Sequence, residues 1–192
     1  MPFHPSHLPG VYRVCMDTGE PGWQLSMPEA NPDLLGHVYA GPYAIRHPEL
    51  ATIVVDADGV AGYILATSDS RGFWEWEEED WWPALRAQYP KRADDSWNKR
   101  IIDLIHAQPQ SPADIVESYP AHFHIDLLPR GQGLGLGRAL IEGLQQTLRE
   151  LGVAGLHLDV GKDNENAISF YRHLGFEVAA EAPESYFMTT TL

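Results

Sequence analysis

Residues 128–140 read Leu128-Pro129-Arg130-Gly131-Gln132-Gly133-Leu134-Gly135-Leu136-Gly137-Arg138-Ala139-Leu140, with four glycines at alternate positions. An apolar run that ends at the proline precedes them, and a segment with helical apolar periodicity follows to about Leu151. The pattern predicts a strand, a glycine-rich turn and a helix, in that order. Glycine permits positive φ and close backbone approach, and the free N–H groups of a helix start attract anions. The stretch therefore predicts a site for a phosphate-bearing ligand.

Three glycine-rich designs bind phosphate groups, and two of them do not fit these residues. A P-loop ends in Gly-Lys-Ser/Thr, whereas arginine and alanine follow Gly137. The dinucleotide fingerprint G-x-G-x-x-G/A fails in every register, because its sixth position holds leucine or arginine. The register that remains is Gln132-x-x-Gly135-x-Gly137.

This register resembles the Q/R-x-x-G-x-G/A pyrophosphate loop of the GNAT acetyltransferase superfamily. A second block follows it at a typical distance and reads Asn164-Glu165-Asn166-Ala167-Ile168-Ser169-Phe170-Tyr171-Arg172-His173-Leu174-Gly175-Phe176. It resembles the N-x-x-A-x-x-x-Y-x-x-x-G-F segment of the same superfamily. On these two blocks, which span the last third of the chain, the protein is identified as a member of the GNAT superfamily.

A narrower resemblance covers more of the chain. The opening Phe3–Pro9 with Tyr12–Cys15, the stretch Asp58–Tyr63, the Trp-rich middle and the block Phe170–Gly175 are similar to the acetyltransferase-like C-terminal domain of O-GlcNAcase. The pyrophosphate loop is degraded in that domain and intact in this chain. The resemblance therefore implies a free-standing bacterial-type relative that still holds the coenzyme.

The resemblance implies the α/β layered GNAT fold, as one domain over 1–192, with a mixed central sheet of about seven strands flanked by helices. The residue patterns agree with this order. Asp-Gly between two β-branched runs is a strong hairpin signal, and it predicts the second and third strands. The predicted elements are an opening strand and a helix within 4–18, a short helix near 33–39, the hairpin 50–55 and 60–67, a strand 122–128, a helix 135–151, a strand 155–160, a helix 164–174 and closing strands 176–180 and 185–192.

An insertion of about fifty residues, about 68–120, separates the third and fourth predicted strands. It holds five of the six tryptophans and the acidic run 75–80, and apolar residues at 101–105 indicate a helix. Two interpretations stay open. The tryptophans pack on the sheet as a small helical subdomain, or the insertion forms a lid or substrate wall that suits a cationic group through charge and cation–π contact.

The composition limits the classes of partner. A net charge of −14 argues against nucleic acid and is compatible with a cationic amine or with solubility alone. No apolar run approaches the roughly 18 residues of a membrane span and no leader pattern opens the chain, so we expect a cytoplasmic protein without a membrane partner. The single cysteine, Cys15, lies in an apolar helical stretch and is expected to be buried.

The family resemblance implies acetyl-coenzyme A as co-substrate. N–H groups of the glycine turn would bind the pyrophosphate, and backbone near Leu127 would pair with the pantetheine arm and polarise the acetyl carbonyl. Asn164 would contact the coenzyme and could also cap its helix. The expected coenzyme-binding residues are Leu127, Gln132, Gly133, Leu134, Gly135, Leu136, Gly137, Arg138, Asn164 and Tyr171.

The resemblance also assigns Tyr171 as the donor to the departing thiolate, and its alternative role is a packed aromatic. For the base, His122, His124 and Asp126 alternate and would share one strand face, unless a bulge switches their direction. Asp126 matches an aspartate in the O-GlcNAcase relative and ranks first, followed by His124. The three residues also resemble a metal set, but GNAT chemistry needs no metal and we expect none.

The predicted reaction is N-acetylation of a primary amine, on a small molecule or a lysine, by direct attack in a ternary complex. The alternative is a non-catalytic module that binds acetyl-coenzyme A or a protein partner, which the O-GlcNAcase resemblance favours. The sequence does not identify the acceptor. If the acidic residues bind it, the acceptor is a cationic amine. The chain is expected to be a monomer or a homodimer, since the closing strands could pair between subunits.

Overall fold

A computed structural model describes residues 1–192 and contains one six-stranded sheet in the spatial order β1-β2-β3-β4-β6-β5. The β3–β4 pair is parallel and the other four pairs are antiparallel. The sheet is therefore mixed, as predicted. The strands are β1 (Thr52–Asp56), β2 (Gly59–Thr67), β3 (Ala121–Leu127), β4 (Gly155–Gly161), β5 (Glu177–Glu181) and β6 (Ser185–Thr191).

The prediction of an opening strand, and with it the seventh strand, is wrong. Residues 1–3 contact the start of β1 only briefly: Met1 exchanges backbone hydrogen bonds with Ile53, Pro2 forms one isolated bridge to Thr52, and the Phe3 N–H donates to the Ala51 carbonyl. A 3-10 turn then begins at Pro5, so no strand forms within residues 4–18. Pro5 and Pro9 lack backbone N–H donors and fix φ near the helical value, so they suit the first turns of helices and not a strand.

Ten helices flank the sheet. The first seven contribute to the apolar core on one face of the sheet, and the last two contribute to the core on the other face. No helix is both long enough and apolar enough to cross a membrane. The helices are α1 (Leu8–Gly19), α2 (Trp23–Ser26), α3 (Leu34–Tyr39), α4 (Gly41–Arg46), α5 (Ser70–Trp76), α6 (Trp82–Gln88), α7 (Trp97–His106), α8 (Ala113–Ser118), α9 (Leu136–Glu150) and α10 (Glu165–His173).

Apart from the opening strand, the predicted helices and strands form close to their expected limits. In the hairpin, Gly59 adopts a φ of 103° where β2 begins. On α1, Cys15 is buried as expected, and burial raises the pKa of its thiol to about 12. The thiol therefore stays protonated at neutral pH, as in a packed structural cysteine.

The insertion packs against the N-terminal helices. It consists of α5, a five-residue π-helical turn at Glu77–Trp81, and α6 to α8. Trp82 and Trp97 are buried in the core that α1 and α3 share. The indole N–H of Trp81 donates to the His37 carbonyl at 2.9 Å. The same core includes Ile53, Tyr63 and Leu65 of β1 and β2, so these contacts agree with the interpretation of a helical subdomain whose tryptophans pack on the sheet.

Strands β3 and β4 separate after a short paired stretch. They pair only at Ala121 with Leu156 and at His122 with His157. Beyond these two pairs, β3 and β4 form no ladder with each other. Because β3 stays paired with β2 along residues 122–127, the gap opens on its other edge. The glycine turn that follows β3 lies at the mouth of this gap, and the site is built there.

Candidate coenzyme and catalytic site

The glycine turn leaves a row of backbone donors without partners. Gly133 and Gly135 have φ values of 72° and 76°, the left-handed region, and α9 begins directly after Gly135. The first N–H of this segment to find an acceptor is that of Ala139, which donates to the Gly135 carbonyl at 3.1 Å. The six consecutive N–H groups from Gly133 to Arg138 donate to no protein atom. They form a concentrated anion site at a helix start.

A cavity of about 1010 Å³ lies between β3, the turn, the start of α9 and helix α10. Of the predicted coenzyme residues, all line it except Leu134, whose side chain is 69% exposed at the tip of the turn. Of the predicted catalytic residues, Asp126 and Tyr171 line it and His124 does not. The structure therefore brings Asp126, Tyr171 and the glycine turn to one cleft.

The backbone of β3 faces the gap at alternate residues. The Leu128 N–H donates to the Ala61 carbonyl at 2.9 Å, which marks that pair as hydrogen-bonded. Because bonded and non-bonded pairs alternate in an antiparallel ladder, the backbone groups of Ile125 and Leu127 point away from β2, toward β4. Both residues line the cavity, so strand-type hydrogen bonds to a ligand are available there.

Gln132 has a second role that the sequence pattern did not indicate. Its side-chain amide donates to the Leu127 carbonyl at 2.7 Å and ties the turn to the end of β3. This bond occupies the carbonyl and leaves the Leu127 N–H as the backbone group that faces the gap. Gln132 therefore shapes the site in addition to lining it.

Asn164 and Gly137 position α10. The Asn164 side chain accepts from the Ala167 N–H at 3.1 Å, so it caps α10 while also lining the cavity. At Gly137, an added Cβ would lie 3.1 Å from Cζ of Phe170. A glycine at this position lets α9 and α10 approach each other at the cleft.

Tyr171 is held in place by aromatic neighbours. Its ring packs edge-on against Phe123 and Phe176, with centroids 6.2 Å and 5.8 Å away. Burial raises the pKa of the Tyr171 hydroxyl, and the negative charge of Asp126 raises it further. The hydroxyl is therefore protonated at neutral pH and is available as a donor.

His122, His124 and Asp126 lie on one face of β3, opposite to the face that packs on α9 and α10. No register shift interrupts the β2–β3 pairing, so the possible bulge is absent. Asp126 accepts a hydrogen bond from the Tyr63 hydroxyl at 2.6 Å, and burial raises the pKa of its carboxyl. Burial lowers the pKa of His124 to about 4, so this ring is neutral at pH 7.

The His-x-His-x-Asp spacing does not assemble a metal centre. The ring nitrogens of His122 contact Tyr43 and Ser70, and Nε2 of His124 contacts Tyr43. No group of three or more histidine, cysteine or carboxylate side chains is arranged to hold a metal ion.

Several residues of the cleft had no signal in the sequence. Asp17, Thr18 and Pro21, at the end of α1 and just beyond it, line the cavity although they precede β3 by about a hundred residues in the chain. Only the fold brings them there. Ile125 and Phe170 also line it; both lie inside recognised stretches, and the alternation of strand backbone groups could have identified Ile125.

Comparison with known proteins agrees with this architecture. The family model described as Acetyltransferase (GNAT) family matches residues 16–176. The crystal structure of SsHAT superposes with a TM-score of 0.89 at 34% sequence identity and covers 100% of this chain and 96% of that one.

Two curated relatives extend the comparison. Protein O-GlcNAcase of Rattus norvegicus is 25% identical over 93% of this chain, which spans only 20% of that protein's length. Spermidine N(1)-acetyltransferase of Escherichia coli K12 is 30% identical over 121 residues, 60% of this chain and 65% of the enzyme. With the family match over most of its length, the chain belongs to the acetyltransferase (GNAT) family.

Proposed function

We propose that this protein transfers the acetyl group of acetyl-coenzyme A to a primary amine, by direct attack of the amine on the thioester in a ternary complex. The observation that carries the proposal is the row of six unpaired N–H groups, from Gly133 to Arg138, along one wall of the cleft. These donors and the start of α9 suit the pyrophosphate of the coenzyme. Acetyl-coenzyme A is the ligand that proteins of this family and fold bind.

The gap between β3 and β4 suits the pantetheine arm. The backbone groups of Ile125 and Leu127 face this gap and would pair with the peptide-like arm as an additional strand would. An N–H group from the same edge would polarise the acetyl carbonyl as charge develops on its oxygen. Asn164 would contact the coenzyme from the start of α10.

Asp126 and Tyr171, two of the titratable groups that line the cleft, suit the two proton transfers of the reaction. Asp126 is the first candidate to take the proton of the attacking amine, because it lines the cleft and burial raises the pKa of its carboxyl. His124 is the second candidate, on the same strand face. Tyr171, whose hydroxyl stays protonated, is the candidate donor to the departing thiolate.

An amine acceptor that carries positive charge suits the acidic side of the cleft. Asp17 and Asp126 line it, and the whole chain carries a net charge of −14. A negative field attracts cations to such a cleft. The similarity to a spermidine N(1)-acetyltransferase supports a polyamine among the acceptors to test first.

Calorimetric titration of acetyl-coenzyme A tests the binding half of the proposal. Wild-type protein is expected to bind with a micromolar dissociation constant, and Gly135→Asp is expected to weaken binding by at least about tenfold, roughly 1.4 kcal/mol, because it adds negative charge at the pyrophosphate donors. The matched control is Gly143→Asp, which adds the same charge to an open position in the middle of α9. Equal affinity of both variants and the wild type would contradict the assigned site.

Coenzyme A release with polyamines, amino sugars, aminoglycosides and lysine peptides tests turnover. With an accepted amine, Tyr171→Phe is expected to lower kcat by about 10²-fold with little change in the KM for acetyl-coenzyme A, because only the proton donor is lost. Tyr186→Phe, on β6 outside the cleft, is the control. An unchanged kcat in Tyr171→Phe would remove this tyrosine from the reaction.

A second function, binding of the coenzyme without turnover, is favoured by one comparison. The chain aligns with only a fifth of O-GlcNAcase, a protein named for a different activity. Micromolar binding of acetyl-coenzyme A together with no coenzyme release across the whole amine panel would favour this second function over acetyl transfer.

A further inference from the structure

Four hydrogen bonds connect His124 to a backbone carbonyl beneath the strand. Nε2 of His124 lies 3.2 Å from the Tyr43 hydroxyl, and that hydroxyl lies 2.8 Å from Nε2 of His122. Nδ1 of His122 lies 2.6 Å from Oγ of Ser70, which lies 2.6 Å from the Pro120 carbonyl oxygen. The chain of bonds joins β3, α4 and the first residue of α5.

The donors and acceptors along this chain fix which atom donates in each of the four hydrogen bonds. The Pro120 carbonyl can only accept, so the single hydroxyl proton of Ser70 points to it, and Ser70 Oγ must accept from Nδ1–H of His122. Neutral His122 then carries its lone pair on Nε2, which accepts from the Tyr43 hydroxyl. The Tyr43 oxygen must in turn accept from Nε2–H of His124.

Both histidines are neutral at pH 7, as this arrangement of hydrogen bonds requires. Burial lowers the pKa of His122 well below its usual range, and neighbouring His157 and His124 lower it further. Aromatic rings hold the group in place: Tyr43 stacks on Phe73 with centroids 4.4 Å apart, and Trp74 stacks on His122 at 5.8 Å.

The remaining nitrogen of His124 is an acceptor without a partner. Nδ1 makes no hydrogen bond within the protein, and it is not one of the two fully buried side-chain atoms that lack a partner, which are Glu77 Oε1 and Gln108 Oε1. It therefore keeps at least a small exposed surface, although the His124 ring as a whole is mostly buried. His124 itself does not line the cleft, but Asp126, which does, lies two residues further along the same strand face, about 6.5 Å away at Cα. An amine bound at Asp126 on this face would therefore lie next to His124.

We propose that Tyr43, itself held by His122 and Ser70, locks His124 in the Nε2–H tautomer, so that Nδ1 accepts a hydrogen bond from the acceptor amine beside Asp126. Tyr43 is thus a positioning residue for amine acceptance. This role rests on the proposed acetyl transfer to an amine. It requires that the tautomer be set by the chain of hydrogen bonds and not by the amine.

Nitrogen-15 NMR of the histidine rings tests the lock without any substrate. In the wild type at pH 7, His124 is expected to show an unprotonated Nδ1 and a protonated Nε2, as one tautomer. Tyr43→Phe removes the hydroxyl that fixes the ring and is expected to give a mixture of both tautomers. A wild-type His124 with a protonated Nδ1, or a mixture in the wild type, overturns the proposal.

Steady-state kinetics test whether the fixed tautomer of His124 assists acetyl transfer. The acceptor is spermidine or another amine that the panel shows to be accepted. Tyr43→Phe is expected to lower kcat/KM for the amine about tenfold and to leave the KM for acetyl-coenzyme A unchanged. His124→Gln keeps a donor near the Nε2 position for Tyr43 but lacks the Nδ1 lone pair, and it is expected to cause a similar loss.

The double variant separates positioning from a merely structural effect. If Tyr43 acts through His124, Tyr43→Phe causes no further loss when His124→Gln is already present. Losses that multiply overturn the proposal. If the protein neither binds acetyl-coenzyme A nor acetylates any amine, the proposed function is wrong. The NMR measurement still decides, independently, whether Tyr43 fixes the tautomer of His124.

Discussion

Asp126 receives its environment from residues that the strand pattern alone does not identify. Its carboxyl is buried beside the cleft, and the Tyr63 hydroxyl, on the neighbouring strand β2, donates to it at 2.6 Å. Burial raises the pKa of the Asp126 carboxyl, whereas the bond from Tyr63 lowers it by stabilising the charged form. An interaction with the Thr18 side chain also lowers this pKa, so the balance of burial against Tyr63 and Thr18 sets the pH at which Asp126 can accept a proton.

Removal of the Tyr63 hydroxyl is therefore expected to raise the pKa of Asp126 further. In Tyr63→Phe, the acid limb of kcat/KM against pH should move upward, by roughly one pH unit if the hydrogen bond is worth about 1.4 kcal/mol. Tyr12→Phe is the control, because it removes a comparable hydroxyl that bonds to His37 at 3.0 Å and not to Asp126. An acid limb that stays in place would show that Asp126 is not the titrating base.

At the scale of elements, the glycine that precedes α9 and a glycine inside it are in two different situations. Gly135 adopts a φ of 76° directly before the helix, where a side chain is strained whatever space surrounds it. Gly143 lies inside the helix, without a positive φ and with no atom within 4 Å of an added Cβ. The same substitution at the two positions should therefore act in opposite directions.

We expect Gly143→Ala to stabilise the protein by about 0.5–1 kcal/mol, because alanine favours a helix interior. Gly135→Ala should destabilise it by about 1–2 kcal/mol, because the left-handed conformation is costly for alanine. Denaturant unfolding of both variants measures the difference. A stabilising Gly135→Ala would contradict the left-handed conformation of this turn.

Some helices, strands and turns could be predicted from the sequence, and others could not. The turn between β3 and α9 was predictable, since alternate glycines and a helical apolar pattern are local signals. The first strand was not, because prolines and apolar residues near the terminus fit either an edge strand or a helix start. Of the site, Asp126 and Tyr171 were predictable. Asp17 reaches the cleft only through the packing of α1, and Tyr63, which is fully buried, acts on the site only through its hydrogen bond to Asp126. His124 was expected in the site but does not line the cleft.

Across the whole molecule, burial of titratable groups produces two opposing dependences of stability on pH. Burial lowers the pKa of four histidines, to about 4 in His124, so the unfolded chain binds more protons between about pH 4 and 6.5. Stability should therefore rise with pH over that interval. Glu77, in the π-helical turn, has the opposite effect, since burial raises the pKa of its carboxyl from 4.5 to about 8.

Glu77 binds a proton in the folded state at pH values where the unfolded chain has already released it. Its favourable contribution is therefore complete below about pH 4.5 and is lost as the pH rises to about 8, a loss on the order of 5 kcal/mol. Combined with the histidines, this predicts maximal stability near about pH 6.5 and a decline above it. Denaturant unfolding from pH 4 to 9 at constant ionic strength measures the profile.

Glu77→Gln identifies the source of the decline. Glutamine keeps the size of the side chain and cannot ionise, so the free energy of unfolding of this variant should stay nearly level between about pH 6.5 and 9. Glu79→Gln, exposed in the same π-helical turn, is the matched control and should keep the decline of the wild type. The outcome that contradicts the argument is an equal decline in both variants, which would assign the loss to the self-repulsion of a chain with net charge −14 and not to one buried carboxyl.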